Sequence, residues 1–105
     1  MAQTPEKKVK EAVTKVLKKY HAYYFYPVMG GFGRSGIPDI IACYKGLFIA
    51  IECKAGSNKT TALQDAELKK IEDARGHVLV VNEMNVDQVE HMLQTIFTIE
   101  QIQGT

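Results

Sequence analysis

The chain has 105 residues, enough for one domain with a modest core and no room for a second. Apolar residues make up 46% and charged residues 24%, the proportions of a folded globule rather than a disordered chain. Thirteen Lys and Arg against twelve Asp and Glu give a formal charge of +1, which on its own speaks against a basic nucleic-acid-binding domain. The average hides a gradient. Residues 1–59 hold ten basic and four acidic groups, a net of +6, and residues 60–105 hold three basic and eight acidic groups, a net of −5. No apolar run approaches the roughly 18 residues of a membrane span, and no apolar stretch follows the N-terminal lysines. Neither a membrane protein nor a secretory signal is therefore expected. Cys43 and Cys53 sit in apolar, strand-like runs and read as free, buried thiols of a cytoplasmic protein. His21, His77 and His91 lie too far apart in sequence for zinc-site spacing.

The first element reads as a helix from about Thr4 to Tyr20, with Thr4 as its cap and Pro5 in its first turn. Val9, Val13, Val16, Leu17 and Tyr20 recur at helical spacing and define an apolar face, with Lys8, Lys15, Lys18 and Lys19 pointing away from it. Glu6 precedes Val9 by three residues and Val13 by seven, so it lies along the apolar face. Glu11 has Lys7 and Lys15 four residues to either side and reads as a surface ion-pairing residue. Tyr23 to Val28 is aromatic and β-prone, the first strand, with Tyr24 facing opposite to Tyr23 and Phe25. Met29 to Gly36 holds Gly30, Gly31, Gly33 and Gly36 but matches neither a P-loop nor a dinucleotide fingerprint. It reads as a mobile or tightly shaped loop, in which Arg34 is either an exposed turn residue or a ligand contact.

Ile37 to Tyr44 is a second strand with Pro38 at its start, Lys45-Gly46 a hairpin turn, and Leu47 to Lys54 a third strand. After a loop containing Lys59, a second helix runs from Thr61 to about Arg75, with Leu63, Ala66, Lys70, Ile71 and Ala74 roughly on one side and Gly76 as its stop. His77 to Val81 reads as a buried strand parallel to a neighbour after a right-handed crossover. Val86 to Phe97 forms a last helix, and the tail beyond Ile99 is polar and frayed. The order α-β-β-β-α-β-α describes an α/β domain over residues 1–105, a mixed β-sheet flanked by helices.

The chemistry sits in Gly36-Ile37-Pro38-Asp39 and Ile51-Glu52-Cys53-Lys54. Glu52 and Lys54 are two apart on one strand and share a face, and the hairpin can bring Asp39 beside them. Charges are rarely set into an apolar strand without partners. Asp39 and Glu52 are hard oxygen ligands for Mg²⁺ or Mn²⁺, and the Cys53 carbonyl can add a third. Lys54 can hold an attacking water and stabilise charge on a phosphate, and Glu6 can reach the same place from the first helix. The plainer reading also stands at this point: Asp39 caps a turn, and Glu52 and Lys54 pair on an exposed edge strand.

Pro38-Asp39 with Glu52-Cys53-Lys54 resembles the signature of the PD-(D/E)XK nuclease superfamily, whose fold is restriction-endonuclease-like. Adding the helix that opens with Glu6, the glycine-rich loop, Thr61 with Gln64, and Gly76 before an apolar strand, residues 5–82 look like the stand-alone VRR-NUC domain of phages and bacteria. Archaeal-type Holliday junction resolvases share much of this outline. The resemblance implies a Mg²⁺- or Mn²⁺-dependent endodeoxyribonuclease, structure-selective for branched DNA and working as a homodimer in a bacterial cell or phage-infected host. It assigns the metal-binding acids to Asp39 and Glu52, the lysine to Lys54, the first-helix glutamate to Glu6 and the second-helix glutamine to Gln64. Arg34, Lys59 and Thr61 are the candidate DNA contacts. The alternative is a non-catalytic DNA-binding or structural module that keeps the fold. If the helical wheel separates the two acids correctly, Glu6→Gln damages metal-dependent cleavage and Glu11→Gln leaves it intact; the reverse pattern in a cleavage assay would overturn the wheel.

Overall fold

The structure is a computed structural model that describes residues 3–28 and 35–104. Thr4 accepts a hydrogen bond from the Lys7 N–H at 3.1 Å and opens α1 (Pro5–Lys19), with Pro5 in the first turn, where a helical N–H has no partner to lose. β1 (Tyr23–Phe25), β2 (Ile40–Tyr44) and β3 (Leu47–Cys53) follow as an antiparallel set. Lys45 and Gly46 join β2 to β3 with φ of 52° and 81°, the two-residue turn whose twist suits an antiparallel pair. The chain then crosses through α2 (Ala62–Asp73) to β4 (His77–Val81), which pairs with β3 in parallel, and α3 (Asp87–Gln103) follows. The sheet order is β1-β2-β3-β4, a mixed sheet flanked by helices. Among the described residues no helix is long and apolar enough to cross a membrane.

The core lies on one face of the sheet. Ile40, Ala42 and Tyr44 of β2 and Ile49, Ile51 and Cys53 of β3 pack there against Val9, Val13 and Leu17 of α1 and Val89, Leu93 and Ile96 of α3. The opposite face carries Phe48, Ala50 and Glu52, and α2 packs there against β4 and bonds Glu52 of β3. Tyr23 and Phe25 therefore stay exposed on β1 while Tyr24 packs on the core, as the alternation predicts.

The departures from the sequence reading have local causes. β1 ends at Phe25 because Tyr26 leaves the ladder and bonds Thr14 on α1 through its hydroxyl, at 2.7 Å. β2 begins only at Ile40: Pro38 has no N–H to give, and Asp39 binds β3 through its side chain. β4 is an edge strand, so of its residues only Val81 is buried. The inner side of α2 runs through Glu67 and Leu68, while Leu63 is exposed. Gln64 faces the sheet, and the residues three and four positions on must follow it there. At the end of α2 it is Arg75 that takes the left-handed conformation, at φ 74°. Gly76 serves close approach instead, since a Cβ there would lie 2.6 Å from Ile71 Cγ2. α3 continues past Phe97 to Gln103, because no Gly or Pro interrupts it before Gly104.

One glycine matters for the site. Gly36 has φ 82°, and a Cβ on it would lie 2.5 Å from the Leu63 carbonyl oxygen and 2.9 Å from the Gln64 nitrogen. The first turn of α2 thus rests directly on the segment that carries Pro38 and Asp39. Gly36→Ala meets both backbone strain and a backbone clash and is expected to destabilise the protein by at least about 2–3 kcal/mol, against about 1 kcal/mol for Gly56→Ala, which has a left-handed φ but open space around it. Urea unfolding of both variants checks this, and equal losses would show that close approach contributes nothing.

Candidate active site

β3 carries Glu52 into the protein with only 2% of its surface exposed. A carboxylate so placed needs partners, and the fold supplies them from two directions. Gln64 Nε2 donates to Glu52 Oε2 at 2.7 Å, and Lys54 Nζ lies 3.4 Å from the same oxygen, its own side chain 12% exposed. Lys54 is held in turn by its backbone N–H, which donates to the Val81 carbonyl of β4 at 2.8 Å.

The glutamine is oriented by a helix cap. The Thr61 hydroxyl accepts from the Gln64 N–H at 3.2 Å, and the Thr61 N–H donates to Gln64 Oε1 at 2.9 Å. A backbone donor must face the oxygen of the amide, so the NH₂ is left turned toward Glu52. Thr61, expected as a DNA contact, has a structural task here, and its hydroxyl proton stays available to donate. Lys59 is exposed in the loop before it, and Arg34 lies outside the described residues.

Asp39 stands just ahead of β2. With Ile40 opposite Ile51, it is the neighbour of Glu52 across the strand pair. Its Oδ2 accepts from the Cys53 N–H at 2.8 Å. The N–H and C=O of one strand residue point to the same side, so the Cys53 carbonyl also faces the Asp39 edge. On the α1 side of this edge a cavity of about 450 Å³ opens, and Glu6, Glu11, Lys10, Tyr26, Asp39 and Cys53 are among its lining residues. Glu6 and Asp39 thus line one cavity. Glu11 is exposed, lines the same cavity and accepts from the Gln3 side chain at 2.7 Å, and among the described residues it forms no ion pair with Lys7 or Lys15. Lys10 and Tyr26 are the lining residues that the sequence reading passed over. The available signal was that Lys10 sits one helical turn after Glu6.

Burial and the negative charge of Asp39 push the Glu52 carboxyl up to about 7, with Lys54 opposing them. Burial and the same two carboxylates push the Cys53 thiol up to about 12, which leaves its carbonyl as the useful donor. A hard divalent cation fits this set. Glu52 Oε1 is buried without a hydrogen-bond partner among the described residues, the hydrogen bond to Asp39 engages only Oδ2, and all candidate donors are oxygens. Among the described residues no three Asp, Glu, His or Cys side chains gather into a cage. A site of one or two carboxylates completed by water and phosphate is the kind that Mg²⁺ favours.

The raised value of Glu52 fixes the sign of a pH effect. Between about 4.5 and about 7 the folded protein keeps a proton that the unfolded chain has released, so stability falls as pH rises through that window and levels off above it. The loss is of the order of 3 kcal/mol. In chelator, Glu52→Gln is expected to abolish this contribution, so that thermal melts of wild type and variant diverge in favour of the variant from pH 5 to pH 8. Parallel curves would refute the assignment.

The comparisons with known proteins follow this geometry. Residues 26–103 match the family model described as archaeal Holliday junction resolvase. No curated protein matches the chain in sequence. A solved structure titled VRR_NUC domain shares the fold with a TM-score of 0.71, covering 88% of this chain and 97% of its own, at 20% identity. Both relationships raised by the motifs therefore return, one as a sequence family and the other as a fold. The family match begins at Tyr26, so Asp39, Glu52, Lys54 and Gln64 lie within it and Glu6 lies outside it. Matched over well more than half of its length, the chain belongs to the archaeal Holliday junction resolvase family.

Proposed function

We propose that the protein is a divalent-metal-dependent DNA endonuclease that hydrolyses phosphodiester bonds in branched DNA and acts as a homodimer. The observation that carries this reading is the buried Glu52 carboxylate, with one oxygen unpartnered, beside Asp39 and a nearly buried Lys54. Acids repel a polyanion unless a cation lies between them, and a purely structural pair would leave no such oxygen bare. Mg²⁺ or Mn²⁺ held by Asp39, Glu52 and the Cys53 carbonyl, with Glu6 directly or through water, would supply Lewis-acid charge at the scissile phosphate.

The chain's own groups do the rest. Gln64 holds Oε2 of Glu52 and leaves Oε1 for the site. The Lys54 ammonium stands where it can orient the attacking water and offset charge that builds on the phosphate. Arg34, Lys59 and Thr61 are the proposed contacts to the DNA backbone. The charge gradient supports such a front: the +6 half holds Glu6, Asp39, Glu52 and Lys54. Junction substrates draw their support from the family to which the chain belongs. One site per chain and two strands to cut favour a symmetric pair, and exposed apolar side chains on β1 (Tyr23, Phe25) and α3 (Phe97, Ile99, Ile102) offer surfaces for it.

The test is cleavage of duplex, flap and four-way junction DNA with Mg²⁺ or Mn²⁺ and then with chelator. Cleavage should need the metal and fall by about 10²-fold or more in Lys54→Ala and Asp39→Ala. Binding of DNA without cleavage of any substrate would instead make the protein a non-catalytic DNA-binding module.

A further inference from the structure

The cavity on the α1 side holds a cation that the proposed reaction leaves unused. Lys10 Nζ lies 4.3 Å from the centre of the Tyr26 ring. Glu6, one turn before it, is in the arrangement that favours a helical ion pair, and Glu11 and Asp39 line the same cavity. Among the described residues Lys10 nevertheless forms no ion pair with any of them. The ring holds the ammonium in place of a carboxylate. A lysine over an aromatic face keeps its full charge and its hydrogen-bond donors.

The ring is itself fixed. The Thr14 hydroxyl donates to the Lys10 carbonyl at 2.9 Å, which commits its single proton. The 2.7 Å contact between Thr14 and Tyr26 must then run from the tyrosine hydroxyl to the threonine oxygen. Thr14 is buried, 8% exposed, so this anchor is sheltered from water. Tyr26 is thereby tied to the helix that carries Lys10.

We infer that Lys10 binds a backbone phosphate of the nucleic-acid strand that crosses this cavity, and that Tyr26 is its positioning residue. The inference rests on the nuclease reading only for the identity of the anion as DNA. An ammonium held apart from three nearby carboxylates is matched to a mobile anion, and a phosphodiester is the anion that the Asp39 edge is built to meet. Its charge also offsets the repulsion that Glu6, Glu11 and Asp39 exert on a passing strand.

The experiment is equilibrium binding of a four-way junction and a duplex by fluorescence anisotropy, in Ca²⁺ and separately in chelator, from about 50 to 200 mM salt. Lys10→Gln should weaken binding to both DNAs and make the plot of log affinity against log salt shallower by about one. Lys10→Arg should restore the slope. Tyr26→Leu should weaken binding as much as Lys10→Gln, and Tyr26→Phe, which keeps the ring, should lose less. Lys69→Gln, an equal loss of charge on the outer side of α2, should bind as wild type does. Equal affinity and slope for wild type and Lys10→Gln, or no DNA binding by the folded wild type, would overturn the inference. A wild type that binds with a Lys10-dependent slope but never cleaves in Mg²⁺ would uphold it while the nuclease reading fails.

Discussion

The hydrogen bond from Gln64 to Glu52 is the contact on which the site depends. A carboxylate at 2% exposure loses its hydration, and that loss must be met by directed partners. Gln64 can direct its NH₂ only because Thr61 engages the other end of the amide in the cap of α2. The cap in turn lies against Gly36, whose missing Cβ lets the loop bearing Asp39 touch the first turn of the helix. One helix start therefore sets the position of both acids, through a side chain in one case and through backbone contact in the other.

The site straddles the sheet. Strand alternation puts Glu52 on the α2 face and Cys53 on the α1 face, and Asp39 spans the two by accepting from the Cys53 backbone while its charge acts on Glu52. Glu52 and Gln64 on the α2 side and the cavity-lining groups on the α1 side thus meet at Asp39, at the open end of the β2–β3 pair. The ladder ends there because Pro38 and Asp39 do not continue it.

Much of this was legible in residue order. The helical spacing of Val9, Val13 and Leu17, the Lys45-Gly46 turn and the apolar strands carry the element order α-β-β-β-α-β-α, and an acid and a lysine two apart inside a strand mark the site. Less legible was the facing of α2, where Leu63 and Ala74 look like core and Glu67 does not. Hydrophobic spacing assumes that apolar contact orients a helix, whereas here a polar contact from Gln64 does so. β4 read as buried because its residues are apolar, but an edge position is a property of strand order, which composition does not encode. Lys10 and Tyr26 were hidden for a related reason: sixteen residues apart in sequence, they meet only because Tyr26 breaks from its strand to bond α1.

The +1 total charge is a property of composition, and so is its split into a basic and an acidic half. The sequence alone also set two acids and a lysine in or beside apolar strands, and left both chemistry and plain ion pairing open until the family resemblance was added. Tertiary structure alone decided that Glu52 Oε1 would stand bare, that Glu11 would join Glu6 at the cavity and that Lys10 would be held by a ring rather than by a carboxylate. The physical reason is that periodicity and composition act locally along the chain. Desolvation and hydrogen-bond partnership depend on which distant segments close around a group.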